Sequence, residues 1–427
     1  MQKFIIEGGA RLNGRLSVSG SKNAALPILA ATLLADGRCT VSNVPDLSDV
    51  RFMVKILREL GLNVDQSDKG VLQTSLESSE PTCAPYELVS KMRASICTLG
   101  PLVAKRGYAK ISLPGGCVIG TRPVDLHLKG LRALGAEIEL KHGYIEARSN
   151  GRLKGANIYL GGVMGPSVLA TANTLCAAVL ADGKTIIDGA ACEPEIEDLA
   201  LFLMKMGATI EGAGTPRLRI TGVPSLRGAS WDVIPDRIEA GTFIVAAALC
   251  GDDVALENVR LEHLGAFTDA LSQAGVYVEQ QDDDTVRVHR DGPTRSVQVT
   301  TMPYPGFPTD LQAQLITLLT LADGLSVVTE RIFPDRFIHL GELSRLGAEV
   351  QKVHSSAVVS GVKKLTGAPV MASDLRASAA LVLAGLVAEG TTEVHRIYHI
   401  DRGYESIEDK LGKLGARITR AEDDSES

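Results

Sequence analysis

A helix stop followed by a strand recurs six times along the chain, as ELGLNV, ALGAEIEL, KMGATIE, QAGVYVE, RLGAEVQ and KLGARIT. The glycines of these stops are Gly61, Gly135, Gly207, Gly275, Gly347 and Gly415, separated by 74, 72, 68, 72 and 68 residues. A second glycine series keeps register with the first, at Gly37, Gly107, Gly183, Gly251, Gly324 and Gly390. Self-similarity of this kind marks one supersecondary unit used repeatedly. The chain therefore reads as six copies of one α/β unit.

Within the first copy a short strand leads to a helix that starts near Ser48, carries Val50, Met53, Val54 and Leu57 on one face, and ends at Gly61. The hairpin NVDQSDKGVLQTSL follows, turning at Asp68, Lys69 and Gly70. A second helix then opens, and its entrances are comparable in all copies: SGSKNAAL, LVSKMRASI, MGPSVLAT, IPDRIEAGTF, FPTDLQAQ and ASDLRASAAL. These second helices are apolar nearly all round, as from Ala377 to Ala388, which predicts core helices wrapped by strands and amphipathic first helices. The unit is βαβαββ-like, and the expected fold class is α/β, a two-domain inside-out α/β barrel with three units per domain.

The sixth copy ends in RITRAEDDSES, short of its last hairpin strand, whereas the chain begins with an unclaimed strand pair, FIIEGGARLNGRLSVSG. The N-terminus is expected to complete the last copy. One domain is then 22–231, and the other is 1–21 with 232–427, joined by a double crossing that leaves a cleft as the expected site. A length of 427 residues fits two hydrophobic cores better than one.

A formal net charge of -7 argues against a nucleic-acid groove or an anionic membrane as the main partner, because both require a basic field. Any anion site must be local. The start MQKFIIEGGARLNG has no signal-peptide pattern, and the longest apolar runs fall short of a membrane span, so the chain is expected in the cytoplasm. Seven cysteines without a C-x-x-C pair suit reduced thiols. Cys39, Cys97, Cys176 and Cys250 fall in strand or core-helix patterns and read as small core residues.

Helix N-termini present unpaired N–H groups and a positive dipole end, so equivalent entrances can form an anion-binding surface. Here they carry Lys22 and Asn23, Arg93, Asp236 and Arg237, Asp310, and Asp374 with Arg376. Cys117 stands apart, in the loop LPGGCVIGTRPVDLH with Gly115, Gly116, Gly120 and Arg122. A thiol ordinarily titrates at about 8.5, and a nearby guanidinium favours the thiolate, which makes it a usable acid or nucleophile. Asp310 reads equally as an N-cap or as a general base. Arg402, in YHIDRGYE, either pairs with Asp401 or Glu405 or clamps a carboxylate or phosphate. His395 and His399 lack a third ligand cluster, so no metal is expected. Neither a Walker loop nor G-x-G-x-x-G is present, which argues against ATP or dinucleotide chemistry.

The segments SGSKNAALPILAA, KMRASI, LPGGCVIGTRPVDLH, AACEPEIEDLA, PDRIEAGTF, FPTDLQAQ, SDLRASAALVLAG and RIYHIDRGYESIEDKL, with Asp335, Arg336 and Phe337, closely resemble the UDP-N-acetylglucosamine 1-carboxyvinyltransferase family from near residue 1 to about residue 420. The resemblance implies the same inside-out barrel pair. It also implies transfer of the enolpyruvyl group of phosphoenolpyruvate to the 3-hydroxyl of UDP-N-acetylglucosamine, with release of phosphate, through a tetrahedral ketal. That reaction opens peptidoglycan precursor synthesis and needs no cofactor.

Carried over residue by residue, Cys117 resembles the loop proton donor, which can bond to phosphoenolpyruvate and is the expected fosfomycin target. Asp310 resembles the base for the sugar hydroxyl. Lys22, Arg122 and Arg402, with Arg93, Arg336 and Arg376, resemble the cations around phosphate and carboxylate, and Asp374 joins that substrate-binding set. Asn23, the run Arg122, Pro123, Val124, Asp125 and Leu126, then Ser167, Val168 and Ile332 resemble nucleotide-sugar contacts. One segment departs: Ser167-Val168-Leu169-Ala170-Thr171 stands where the family has Ser-Val-Gly-Ala-Thr, behind a longer GGVMGP. Leucine lacks glycine's freedom, which puts loop geometry and nucleotide affinity at issue there. Cys192 stands where a basic residue is frequent. Two competing readings are the sister enzyme acting on shikimate 3-phosphate, which lacks the loop cysteine, and a catalytically silent nucleotide-sugar-binding paralogue.

Overall fold

The computed structural model describes residues 2–89, 92–113 and 124–423, so the expectations placed on Cys117, Arg122 and Pro123 lie outside the described residues. The recurring stop glycines all occupy the left-handed region, with φ of 81° at Gly61, 92° at Gly135, 112° at Gly207, 84° at Gly275, 88° at Gly347 and 102° at Gly415. Side chains with a Cβ rarely adopt that conformation, which is why each helix stops where glycine stands. The helix Ser48–Glu59 illustrates the unit: Val50, Met53 and Leu57 are buried, and Val54 is half-buried.

Each copy contributes to a four-stranded sheet of one pattern. The first sheet runs Ser230–Asp232, Cys39–Ser42, Val71–Leu76, Leu62–Asp68; the first two strands are parallel and the later neighbours antiparallel. The sheet built on Leu325–Thr329 repeats it, with Gln298–Thr300 parallel on one side and the hairpin Glu349–Val353, Ser356–Ser360 on the other. In the last sheet, Gln2–Glu7 lies antiparallel between Thr391–His395 and Arg417–Glu422, the place that a hairpin strand holds in the other copies.

The N-terminal strand pair does not travel together. Leu12–Ser17 instead runs parallel to Gly251–Glu257 in the fourth sheet. The turn between the two strands is held elsewhere: the Gly8 and Gly9 N–H groups donate to the carbonyls of Gly390 and Leu386. At Gly8 the approach leaves no room for a side chain, since a Cβ would lie 1.9 Å from the Ala388 carbonyl oxygen. Ser230–Asp232 plays the matching part for the first sheet, so every sheet takes its parallel edge strand from another copy.

The described chain forms two compact units, residues 20–234 and residues 2–19 with 235–423. Each is an inside-out α/β barrel with its helices at the centre. In the 20–234 unit the central helices are Lys22–Ala31, the 3-10 turn Arg93–Thr98 running into Leu99–Arg106, and Val168–Ala178. In the other they are Arg237–Cys250, the turn Thr309–Leu311 running into Gln312–Leu319, and Leu375–Val387. Every residue of Leu375–Val387 except Leu375 and Val387 is buried, so that helix drives assembly by apolar area on every side. Cys39, Cys97, Cys176 and Cys250 are buried among these elements, and burial pushes the Cys97 and Cys250 thiols up to about 12. They are packing residues.

Candidate functional site

In the 20–234 unit two of the central-helix entrances are capped by a serine side chain, Ser21 and Ser167. Ser21 accepts the Ala24 N–H at 3.3 Å, which sets Lys22 as the first residue of its helix. Lys22 is only 7% exposed, and its Nζ lies 3.2 Å from Asp49 Oδ2, itself buried. Asn23, next in the helix, is half-buried, as is Arg93 at the start of its turn. Val124 caps the helix Asp125–Ala133, with Asp125 exposed and Leu126 half-buried.

Ser167 caps the third central helix by accepting the Ala170 N–H, and Val168 is the first residue inside it. Leu169 follows as the second helical residue, half-buried against the core. A right-handed helical position makes no demand for glycine, so leucine costs no backbone strain there. The longer segment before it is a small hairpin, Gly161–Gly162 paired with Gly165–Pro166. It lies against Leu126, whose Cδ1 would be 3.0 Å from a Cβ at Gly162.

A buried polar group behind these entrances joins three segments. Asn173 Nδ2 lies 2.8 Å from His127 Nδ1 and donates to the Ile96 carbonyl at 2.7 Å, while Asn173 Oδ1 accepts the Gly100 N–H at 2.7 Å. Burial, with the Arg93 charge second, pushes the His127 pKa down to about 3, so the ring is neutral near pH 7. With the amide nitrogen donating, Nδ1 accepts and Nε2 carries the proton.

In the other unit four sequence-predicted residues converge: Asp310, Arg336, Asp374 and Arg376. Arg336 Nη1 donates to Asp310 Oδ1 at 2.6 Å, and Arg376 Nε stands 3.6 Å from Asp310 Oδ2. Arg336 Nη2 is 4.0 Å from Asp374, whose Oδ1 accepts the Arg376 and Ala377 N–H groups and so caps the sixth central helix. Asp310 makes no capping bond to its own helix. The side chains of Arg336 and Arg376 are 7% and 2% exposed, against 29% for Asp310. Burial pulls the pKa of Arg376 down, but Tyr404, Asp310 and Asp236 outweigh it and the net movement is upward. Both Nε and Nη1 of Arg376 are buried without a hydrogen-bond partner among the described residues. Two buried guanidiniums, one with donors to spare, beside a partly exposed carboxylate can hold an anion and move a proton.

Further residues brace this cluster. Tyr404 lies under Arg376, with 5.2 Å from guanidinium to ring centroid, and its hydroxyl is 2.9 Å from Thr242 Oγ1 and 3.3 Å from Gln314 Nε2. Thr242, Gln314 and Arg376 come from the three central helices of the unit. Arg402, half-buried, ends the 3-10 turn Ile397–Arg402, and Arg420 grips Asp401 in that turn through bonds of 2.7 and 3.0 Å. Half-buried Ile332 lies beside Glu330, which accepts its N–H. His395 does not meet His399: its Nδ1 is 2.6 Å from Asp423, and His399 packs on Tyr398. Sequence reasoning missed Asp49, His127, Asn173, Glu330 and Tyr404. Asp49 alone had a local signal, a carboxylate on the helix face that carries buried Met53.

Known proteins match this chain along nearly its whole length. The model of the family described as EPSP synthase (3-phosphoshikimate 1-carboxyvinyltransferase) matches residues 6–411. A UDP-N-acetylglucosamine 1-carboxyvinyltransferase from Methylacidiphilum infernorum is 54% identical over 420 residues, 98% of this chain and 99% of that protein. One from an Anaeromyxobacter species is 55% identical over 423 residues, covering 98% and 99%. Among solved structures, the enolpyruvyl transferase NikO from Streptomyces tendae superposes with a TM-score of 0.90 at 27% identity, over 98% of this chain and 99% of that one. Identity above one half across both barrels places the chain in the EPSP synthase family, among its UDP-N-acetylglucosamine 1-carboxyvinyltransferases.

Proposed function

We propose that the chain transfers the enolpyruvyl group of phosphoenolpyruvate to the 3-hydroxyl of UDP-N-acetylglucosamine and releases inorganic phosphate, a step of peptidoglycan precursor synthesis. The observation that carries this reading is Asp310, partly exposed, in contact with the buried guanidiniums of Arg336 and Arg376. The names of the relatives support the choice of both substrates.

In the proposed reaction Asp310 takes the proton of the sugar hydroxyl as its oxygen attacks C2 of phosphoenolpyruvate. C3 gains a proton at the same time, for which Cys117 is the proposed donor. Loss of phosphate from C2 and of a proton from C3 then restores the double bond in the product. Lys22, Arg93, Arg122, Arg336, Arg376 and Arg402 are the proposed cations for phosphate and carboxylate, since a small polyanion needs several converging charges. Asp374 serves that set by capping the helix that begins with Leu375 and Arg376. Asn23, Pro123, Val124, Asp125, Leu126, Ser167, Val168 and Ile332 are the proposed nucleotide-sugar contacts.

Phosphate release, assayed with phosphoenolpyruvate and either UDP-N-acetylglucosamine or shikimate 3-phosphate, tests the reading. Release with the nucleotide sugar alone is expected, and release with shikimate 3-phosphate alone overturns it. Cys117→Ala is expected to abolish turnover without loss of fold, while Cys117→Asp retains part of it, because a carboxylic acid also donates a proton. Full activity in the alanine variant removes Cys117 from the mechanism.

A further inference from the structure

Glu330 follows the strand Leu325–Thr329 and is 0% exposed. A carboxylate so placed is costly unless its lone pairs are filled. Four donors fill them. Oε1 accepts the Thr301 hydroxyl at 2.7 Å and the N–H groups of Ile332 and Phe333 at 2.7 and 2.9 Å, and Oε2 accepts the Thr309 hydroxyl at 2.8 Å.

Thr309 precedes Asp310. A hydroxyl has one proton, and here it goes to Glu330, so the lone pairs of Thr309 remain for Arg336. Arg336 Nη1 uses them: it donates to Thr309 Oγ1 at 3.1 Å and to Asp310 Oδ1 at 2.6 Å. The guanidinium that contacts the proposed base is thus oriented by a hydroxyl whose own direction is set by a buried carboxylate. The same carboxylate holds the backbone at Ile332, a proposed nucleotide-sugar contact.

We propose that Glu330 is a positioning residue, which aligns Arg336 and Asp310 through Thr309 and fixes Ile332 through its N–H. The inference rests on the reading of Asp310 as the base. It goes beyond that reading by coupling the base to the nucleotide-sugar segment through a residue that touches neither substrate.

The test pairs two nearly isosteric changes. Glu330→Gln replaces one acceptor oxygen with an N–H₂ donor, and Thr309→Val removes the hydroxyl; each breaks the same link. Each is expected to lower kcat by about 10- to 100-fold while KM for phosphoenolpyruvate moves less than about threefold. Thr309→Ser, which keeps the hydroxyl, recovers most of the rate that Thr309→Val loses. The double variant is no slower than the slower single one, since the two residues act in series. Losses that multiply, or a kcat within about twofold of the parent in either folded single variant, overturn the proposal.

A parent chain that releases no phosphate counts against the proposed function instead. A readout without turnover then decides Glu330: the Nη resonances of Arg336, sharp in the parent through hindered rotation, broaden in both variants if the link exists and stay unchanged if it does not. Should Glu330→Gln fail to fold, Thr309→Val carries both arms of the test.

Discussion

Asp236, Asp310 and Asp374 stand at the entrances of three equivalent helices, yet only Asp236 and Asp374 bond the helix N–H groups behind them. Asp310 turns to Arg336 instead, which keeps a charged acceptor within reach of a ligand. Asp310→Asn preserves shape and the bond from Arg336 but cannot take a proton. Its kcat in the phosphate-release assay is expected to fall by about 10²- to 10⁴-fold, and retention of half the parent's rate excludes Asp310 as the base. The sequence left Asp310 open between cap and base because Arg336, the partner that draws its carboxylate away from the helix, lies beyond the next strand. Glu330 was invisible for a similar reason: a carboxylate after VVT looks like the exposed end of a strand until Thr301 and Thr309 are brought to it.

Helices were legible from their stops, because a left-handed residue after a helix calls for glycine and the six glycines recur in register. Edge strands were not. Cys83–Ala84 and Asn157–Tyr159 are too short for an alternating pattern to register, and their pairing is set by neighbouring copies. Close helix contacts were equally hidden, and they make a prediction. A Cβ at Gly100 would lie 2.2 Å from the Asn173 carbonyl oxygen on the facing central helix, whereas one at Gly412 meets nothing within 4 Å. Both positions are helical, so alanine gains roughly 1 kcal/mol of propensity at each. At Gly100 the backbone clash outweighs that gain, and Gly100→Ala is expected to lose about 1–3 kcal/mol in urea unfolding. Gly412→Ala is expected to gain up to about 1 kcal/mol. Equal shifts of one sign in the two variants contradict the helix contact.

Each unit closes on itself, and each encloses a histidine that its own packing keeps neutral. Burial with Arg93 nearby takes His127 down to about 3, and burial, which outweighs the upward pull of Asp374 and is helped by a smaller push from Arg336, takes His339 down to about 4. Both folded values lie below the ordinary 6.5, so the unfolded chain takes up protons first as pH falls. The stability involved is complete above pH 6.5 and is lost progressively between there and the folded values, at up to about 1.4 kcal/mol per pH unit for each histidine. At pH 5 this amounts to roughly 2 kcal/mol in each unit, before carboxylates begin to protonate in number. The urea midpoint is therefore expected to fall between pH 7 and pH 5. In the double variant His127→Gln, His339→Gln, that part of the profile flattens, whatever the variant loses at pH 7, because neither amide takes up a proton. A double variant with the parent's slope across this window places the acid sensitivity elsewhere. The flattening is specific to neutral burial, since histidines that were charged in the fold would steepen the profile in the opposite direction.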